Sequence, residues 1–145
     1  MIKFFIRKII NYFLALFRRF FFISAHASNK RRREFVARFL HNLPQNTRLL
    51  DAGAGTQKYR PHCSHLNYTS QDLGEYDGKG DNIGHQSGSW DTTNIDIISD
   101  ICSIPVPDAS FDAVICTDVL EHVPTVNLAL RELDRVVRPG GKILI

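Results

Sequence analysis

The stretch Arg48-Leu49-Leu50-Asp51-Ala52-Gly53-Ala54-Gly55-Thr56 decides the fold. A short apolar run ends in a carboxylate and passes into a turn with alternating glycines. The run reads as a strand buried on both faces of a parallel sheet. Glycine allows the positive φ of a tight turn and lets a ligand approach the main chain. At the carboxyl end of a strand in an open α/β sheet, such a turn is where nucleotide-like ligands bind. A dinucleotide fingerprint would need glycine at position 58, where Lys58 stands, so an NAD site is weakly supported. The pattern acid-x-G-x-G, read from Asp51, fits better.

Working outward, Leu66–Gln71 reads as strand two, ending in Asp72. A carboxylate there can accept hydrogen bonds from both ribose hydroxyls of a nucleotide; a loop Asp capping a turn is the bland alternative. Gly74–Asn94 carries five glycines and no helical period, which predicts a long loop. Tyr76 and Trp90 either shape a substrate lid there or sit in a simply mobile segment. Strand three, Ile95–Ser99, leads to Asp100-Ile101, a carboxylate to accept from an adenine amine beside an apolar residue to cover the ring. Pro105, Pro107 and Asp108 form a turn before strand four, Ser110–Thr117.

Next come Asp118, Glu121 and His122, which a helical turn would place on one face. They suit a divalent metal or a general base, against the plainer reading of a helix start placed for capping and packing. Thr125 is expected to cap a helix whose buried stripe is Val126, Leu130, Leu133 and Val137. Arg138-Pro139-Gly140-Gly141 stops it, and Lys142–Ile145 begins strand five.

Charge divides the chain. Residues 1–33 hold nine Lys or Arg and no acid, whereas residues 34–145 hold nine against fifteen acids. On a helical wheel, Lys3, Arg7, Lys8, Arg18 and Arg19 share a face opposite Phe5, Ile9, Phe13, Leu16 and Phe20, with Phe4 and Phe22 as exceptions on the basic side. That is the pattern of a helix lying in a membrane interface, so residues 1–23 are expected to meet an anionic membrane surface. A transmembrane span, a signal peptide cleaved near Ala25-His26-Ala27 and a domain-capping helix are the competing readings; Arg18 and Arg19 interrupt the apolar run against the first two. Ser24–Asn29 is a hinge, and Lys30–Leu43 a second helix with Phe35, Val36, Phe39, Leu40 and Leu43 at helical spacing. Lys30–Arg33 read as a solvated face, and no nucleic-acid partner is expected. Cys63, Cys102 and Cys116 are odd in number and widely spaced, which argues against a disulfide framework or zinc site and for a reducing, cytoplasmic compartment.

Together, Leu-Asp-Ala-Gly-Ala-Gly-Thr, Asp72, the run from Ser99 to Val114, Leu-Glu-His-Val and Arg-Pro-Gly-Gly-Lys resemble the class I S-adenosylmethionine-dependent methyltransferases of the type 11 group, over Leu49–Ile145. The resemblance implies a Rossmann-like α/β fold, a mostly parallel sheet with helices on both faces, here without the usual strands six and seven. With the charge pattern, this divides the chain into a cofactor-binding domain at 29–145 behind a basic helix and hinge at 1–28. For the cofactor, it places Asp51, Gly53 and Gly55 around the methionine part of S-adenosylmethionine and Asp72 on the ribose. Asp100 and Ile101 go to the adenine, and the Cys116 carbonyl lies near the amino group. Gln57 stands at the usual third glycine, the most tolerant of the three.

For the chemistry, His122 is the candidate base with Glu121 orienting it; no resident metal is assigned. The expected acceptor is a small molecule, sugar or lipid-linked compound; for strand five, either the chain is a fragment or a partner supplies the cover. A non-catalytic, truncated membrane-associated remnant that at most binds the cofactor is the alternative, and a nucleotide-dependent dehydrogenase a distant third.

Overall fold

The computed structural model describes residues 29–75 and 93–145. The amphipathic segment, the hinge to residue 28, Tyr76 and Trp90 lie outside the described residues. The chain divides into two compact units, 1–39 and 40–145. Five strands, β1 (Arg48–Ala52), β2 (Asn67–Asp72), β3 (Ile97–Ile98), β4 (Phe111–Ile115) and β5 (Val137–Leu144), form one sheet in the order β3-β2-β1-β4-β5. Every pairing is parallel. Leu49, Leu50, Asp51 and Ala52 are all buried, as a central parallel strand requires.

β3 is shorter than expected, and side chains explain why. The Asp96 carboxylate accepts from both the backbone N–H (2.9 Å) and the hydroxyl (2.7 Å) of Ser70. It takes the place of a ladder carbonyl just before the strand, leaving only Ile97 and Ile98 in register with Gln71 and Asp72.

Among the described residues helix α1 runs over 29–41, ending two residues before the expected Leu43. Val36, Leu40 and Leu43 are buried, but Phe35 is 59% exposed, so the stripe is narrower than the spacing suggested. Helix α2 (Val126–Val136) buries Ala129, Leu133 and Val136. Its inner face is rotated from the expected one, leaving Val126 and Leu130 more than a third exposed. The Thr125 side chain makes no capping bond; its hydroxyl lies 3.4 Å from Cys102 Sγ instead, and its carbonyl accepts from Leu128 and Ala129.

Between β3 and β4 the chain runs without regular structure, yet it is firmly tied to α2. The Arg135 guanidinium donates to the carbonyls of Ile104 and Val106, to Asp108 and to Glu132, and Glu132 accepts from the Ile104 N–H (2.6 Å).

β5 follows α2 directly rather than beginning at Lys142. Phe111 pairs with Val137, then a bulge intervenes before Ala113 pairs with Lys142. Arg138-Pro139-Gly140-Gly141 is that bulge, where an edge strand tolerates proline and glycine. Gly140 has φ 75°, while a Cβ on Gly141 would stand 2.8 Å from the Asp112 carbonyl oxygen and 2.6 Å from a Val137 methyl. Gly141→Ala should therefore destabilise the domain by about 1–3 kcal/mol through overpacking. Gly140→Ala meets only an ordinary contact with the Arg138 guanidinium at 4.0 Å and should lose about 1 kcal/mol to backbone strain alone. Urea denaturation of both variants measures the difference.

Candidate functional site

In the order β3-β2-β1-β4-β5 the chain leaves β1 toward β2 on one side and returns to β4 on the other, opening a crevice at the carboxyl ends of β1 and β4. Gly53 (φ 73°) and Gly55 (φ 51°) turn the chain there. The N–H groups of Gly53 and Ala54 both donate to the Gln71 carbonyl (2.8 and 2.9 Å), hooking the turn onto β2. Gly55 N–H donates to one Asp72 oxygen (2.9 Å) and Gly74 N–H to the other (3.0 Å). Each oxygen keeps a lone pair for a ligand hydroxyl.

Asp51 is buried and accepts from the Tyr68 hydroxyl at 2.7 Å. Burial pushes its carboxyl from 3.8 up to about 6, against the opposing pull of Tyr68 and Lys58. Desolvation and the Asp51 charge raise the Tyr68 phenol in turn. Asp100 is exposed, with Oδ1 accepting from the Cys102 N–H (2.8 Å). The Ile101 side chain, expected over an adenine ring, is packed in the same buried cluster as Ile104 and Val114, because the chain turns inward once past the polar rim. Cys116, the first residue after β4, is buried; desolvation, with the charges of Asp51 and Glu121, pushes its thiol up to about 12.

The loop after β4 closes over the turn. Val119 lies against Gly53 so tightly that a Cβ there would stand 2.3 Å from one methyl and 2.9 Å from the other. Lys58 Nζ reaches across to Asp118 at 2.8 Å. Leu120–His122 is a single 3-10 turn, and Asp118 precedes it with φ 60°. Asp118, Glu121 and His122 therefore do not share a helical face, and among the described residues no group of three His, Cys, Asp or Glu is placed to hold a metal. Glu121 and His122 are exposed, and among the described residues no hydrogen bond joins them.

The structure thus brings Asp51, Gly53, Gly55, Asp72, Asp100 and Cys116 to the carboxyl edge of one sheet. Sequence reasoning missed Tyr68, Gln71 and Val119, and saw Lys58 only as a missing glycine. A cavity of about 700 Å³ lies beside the far end of the turn, lined by Thr56, Gln57, Arg60, Asn94, Ile95 and Asp96. None of the expected cofactor residues lines it, so the strand-end carboxylates mark the crevice better than this cavity does. Their chemistry fits S-adenosylmethionine: acids at successive strand ends face a ligand with cationic centres and hydroxyls, and the nearby Lys58 is already paired with Asp118.

Comparison with known proteins agrees. Residues 50–145 match the family described as "Methyltransferase domain". A tRNA (carboxymethyluridine(34)-5-O)-methyltransferase of Arabidopsis thaliana is 33% identical over 133 residues, covering 85% of this chain and 30% of that protein. A ubiquinone biosynthesis O-methyltransferase of Xanthomonas axonopodis pv. citri is 30% identical over 123 residues, covering 83% of this chain and 50% of its own length. The chain thus spans half or less of these relatives. Among solved structures, a putative S-adenosyl-L-methionine-dependent methyltransferase from Methanococcus maripaludis superposes with TM-score 0.56 at 20% identity, over 74% of this chain and 52% of that one. The [4+2]-cyclase SpnF does so with TM-score 0.57 at 24% identity, over 76% and 42%. The fold is shared even with a protein named for different chemistry, so reaction type must be argued from the site.

Two outcomes follow from the site's geometry. Gly53→Ala should destabilise the protein by about 1–3 kcal/mol, from the clash and the positive φ together. Adding Val119→Ala should recover only the steric part, in a double-mutant denaturation cycle. For Asp51, the folded state retains a proton between pH 3.8 and about 6 that the unfolded chain has released. Its contribution to stability is therefore greatest below that window and declines as pH rises through it, levelling off above 6. Asp51→Asn, which can still accept from Tyr68, should remove that slope from urea denaturation measured between pH 4 and 7.

Proposed function

The chain belongs to the class I S-adenosylmethionine-dependent methyltransferase family, and within it we propose that this protein binds S-adenosylmethionine and directs methyl transfer to an oxygen acceptor on a small or lipid-linked molecule. The observation that carries the cofactor assignment is Asp72, held by Gly55 and Gly74 N–H at the end of β2 with lone pairs left for ribose hydroxyls. Asp51, once ionised, supplies negative charge toward the methionine end, together with the Cys116 carbonyl. Asp100 accepts from the adenine amine.

Bound S-adenosylmethionine supplies an electrophilic methyl group for in-line displacement. What the protein must add is chiefly orientation, together with a base when the acceptor carries a proton. His122 is free to take that proton, standing exposed on the 3-10 turn after β4. Glu121 adds charge nearby rather than a hydrogen bond that would orient it.

Oxygen is favoured as acceptor because both relatives described above, each aligned over more than four-fifths of this chain, carry O-methyltransferase names. The first of those names puts a tRNA among the acceptors to be tried. A lipid-linked acceptor is favoured by the cationic, aromatic segment 1–23, which would hold the enzyme at an anionic membrane surface. Among the described residues no helix is long and apolar enough to cross a membrane.

Calorimetric titration with S-adenosylmethionine should show one site of micromolar affinity; absence of binding would instead favour the non-catalytic remnant. With a panel of phenolic, sugar, lipid-linked and tRNA acceptors, release of S-adenosylhomocysteine identifies the substrate class. On the substrate found, His122→Ala should lower turnover about 100-fold and leave cofactor affinity within about twofold. Normal turnover of that variant would remove His122 from the chemistry.

A further inference from the structure

We propose that Gln71 is a positioning residue for the cofactor: its buried side-chain amide sets the span between the turn that meets the methionine end and the segment that meets the adenine. Gln71 precedes Asp72 on β2, and alternation along the strand sends the two side chains to opposite faces. It is 1% exposed, in a sheet whose other interior positions are mostly apolar. A hydrocarbon would fill the same space, so the amide there calls for a reason, and every buried polar atom needs a partner.

Its partners lie in two different ligand-facing segments. Oε1 accepts from Gly53 N–H at 3.3 Å, while Nε2 donates to the Ser99 carbonyl at 2.6 Å and lies 3.3 Å from the Ser99 hydroxyl. Its main-chain carbonyl holds Gly53 and Ala54, and the Asp72 carbonyl accepts from Ser99 N–H at 3.0 Å. β3 contributes only two ladder residues. The Gln71 amide therefore extends the β2–β3 pairing toward Asp100, at the height where the ligand would lie. One residue thus links the Gly53 turn to Ser99 and, through the chain, to Asp72 and Asp100.

This rests on S-adenosylmethionine being the ligand of the crevice. The test is calorimetry on the full chain with S-adenosylmethionine, S-adenosylhomocysteine and adenosine, with melting temperature recorded alongside. Gln71→Met removes both amide contacts at similar volume and should weaken all three ligands about tenfold, with the stoichiometry still one. Gln71→Glu sets a carboxylate against the Ser99 carbonyl at neutral pH but regains a donor when protonated. Its deficit relative to wild type should shrink as pH falls from about 8 to about 6, whereas that of Gln71→Met stays flat. Gln71→Asn keeps the amide but withdraws it by one methylene, and should weaken adenosine binding with the least cost in folding. Lower melting temperatures with unchanged affinities and no pH-dependent recovery would overturn the brace while leaving the cofactor assignment intact. A wild-type chain that fails to bind S-adenosylmethionine would overturn that assignment, and the brace with it.

Discussion

The donation of two consecutive N–H groups, from Gly53 and Ala54, into the single carbonyl of Gln71 is the constraint on which the site depends. It forces the chain leaving β1 to bend back over β2, which only a residue free to take positive φ at position 53 permits. Once the turn is bent, Gly55 N–H meets Asp72, Val119 can seat against Gly53, and Lys58 is carried to within reach of Asp118. Remote contacts around the crevice are thus set by one local bend.

Holding that edge in place falls to ties on either side of the sheet. The Arg135–Glu132 cluster on α2 grips the Ile104 N–H and the Ile104 and Val106 carbonyls of the irregular segment after Asp100, supplying backbone partners that regular structure would have given it. At the opposite edge, the Asp112 carboxylate accepts from the Arg48 main chain and guanidinium and from Arg138, and these bonds hold its carboxyl well below the usual range. That interaction joins β1, β4 and the β5 bulge where the ladder itself is interrupted.

The strands β1, β2 and β4 of a parallel sheet, and the acids at their ends, were legible in the sequence, because apolar runs followed by Gly or Asp carry one meaning in an open α/β sheet. Less legible were features decided by side chains folding back on the main chain. β3 contracts because Asp96 replaces a carbonyl, and the inner face of α2 rotates onto Ala129 and Val136. Spacing alone cannot report that shift when Leu128, Ala129 and Leu130 are all apolar, as are Val136 and Val137. Asp118, Glu121 and His122 had the spacing of a helical turn, but the left-handed Asp118 ends that period before it begins. Gln71 was silent in the sequence since a buried amide looks no different there from an exposed one.

Position 57 shows what this chain has exchanged for its irregular turn. Gln57 has φ 55°, a conformation that costs a residue with a side chain about 1 kcal/mol and glycine almost nothing. In return its amide donates to the Asn94 carbonyl at 2.8 Å and accepts from Arg60 at 2.6 Å. A permissive backbone has been traded for an addressable one. The turn now feels, through a single side chain, how the chain enters β3, so the glycine turn and the segment leading to Asp100 are mechanically the same part.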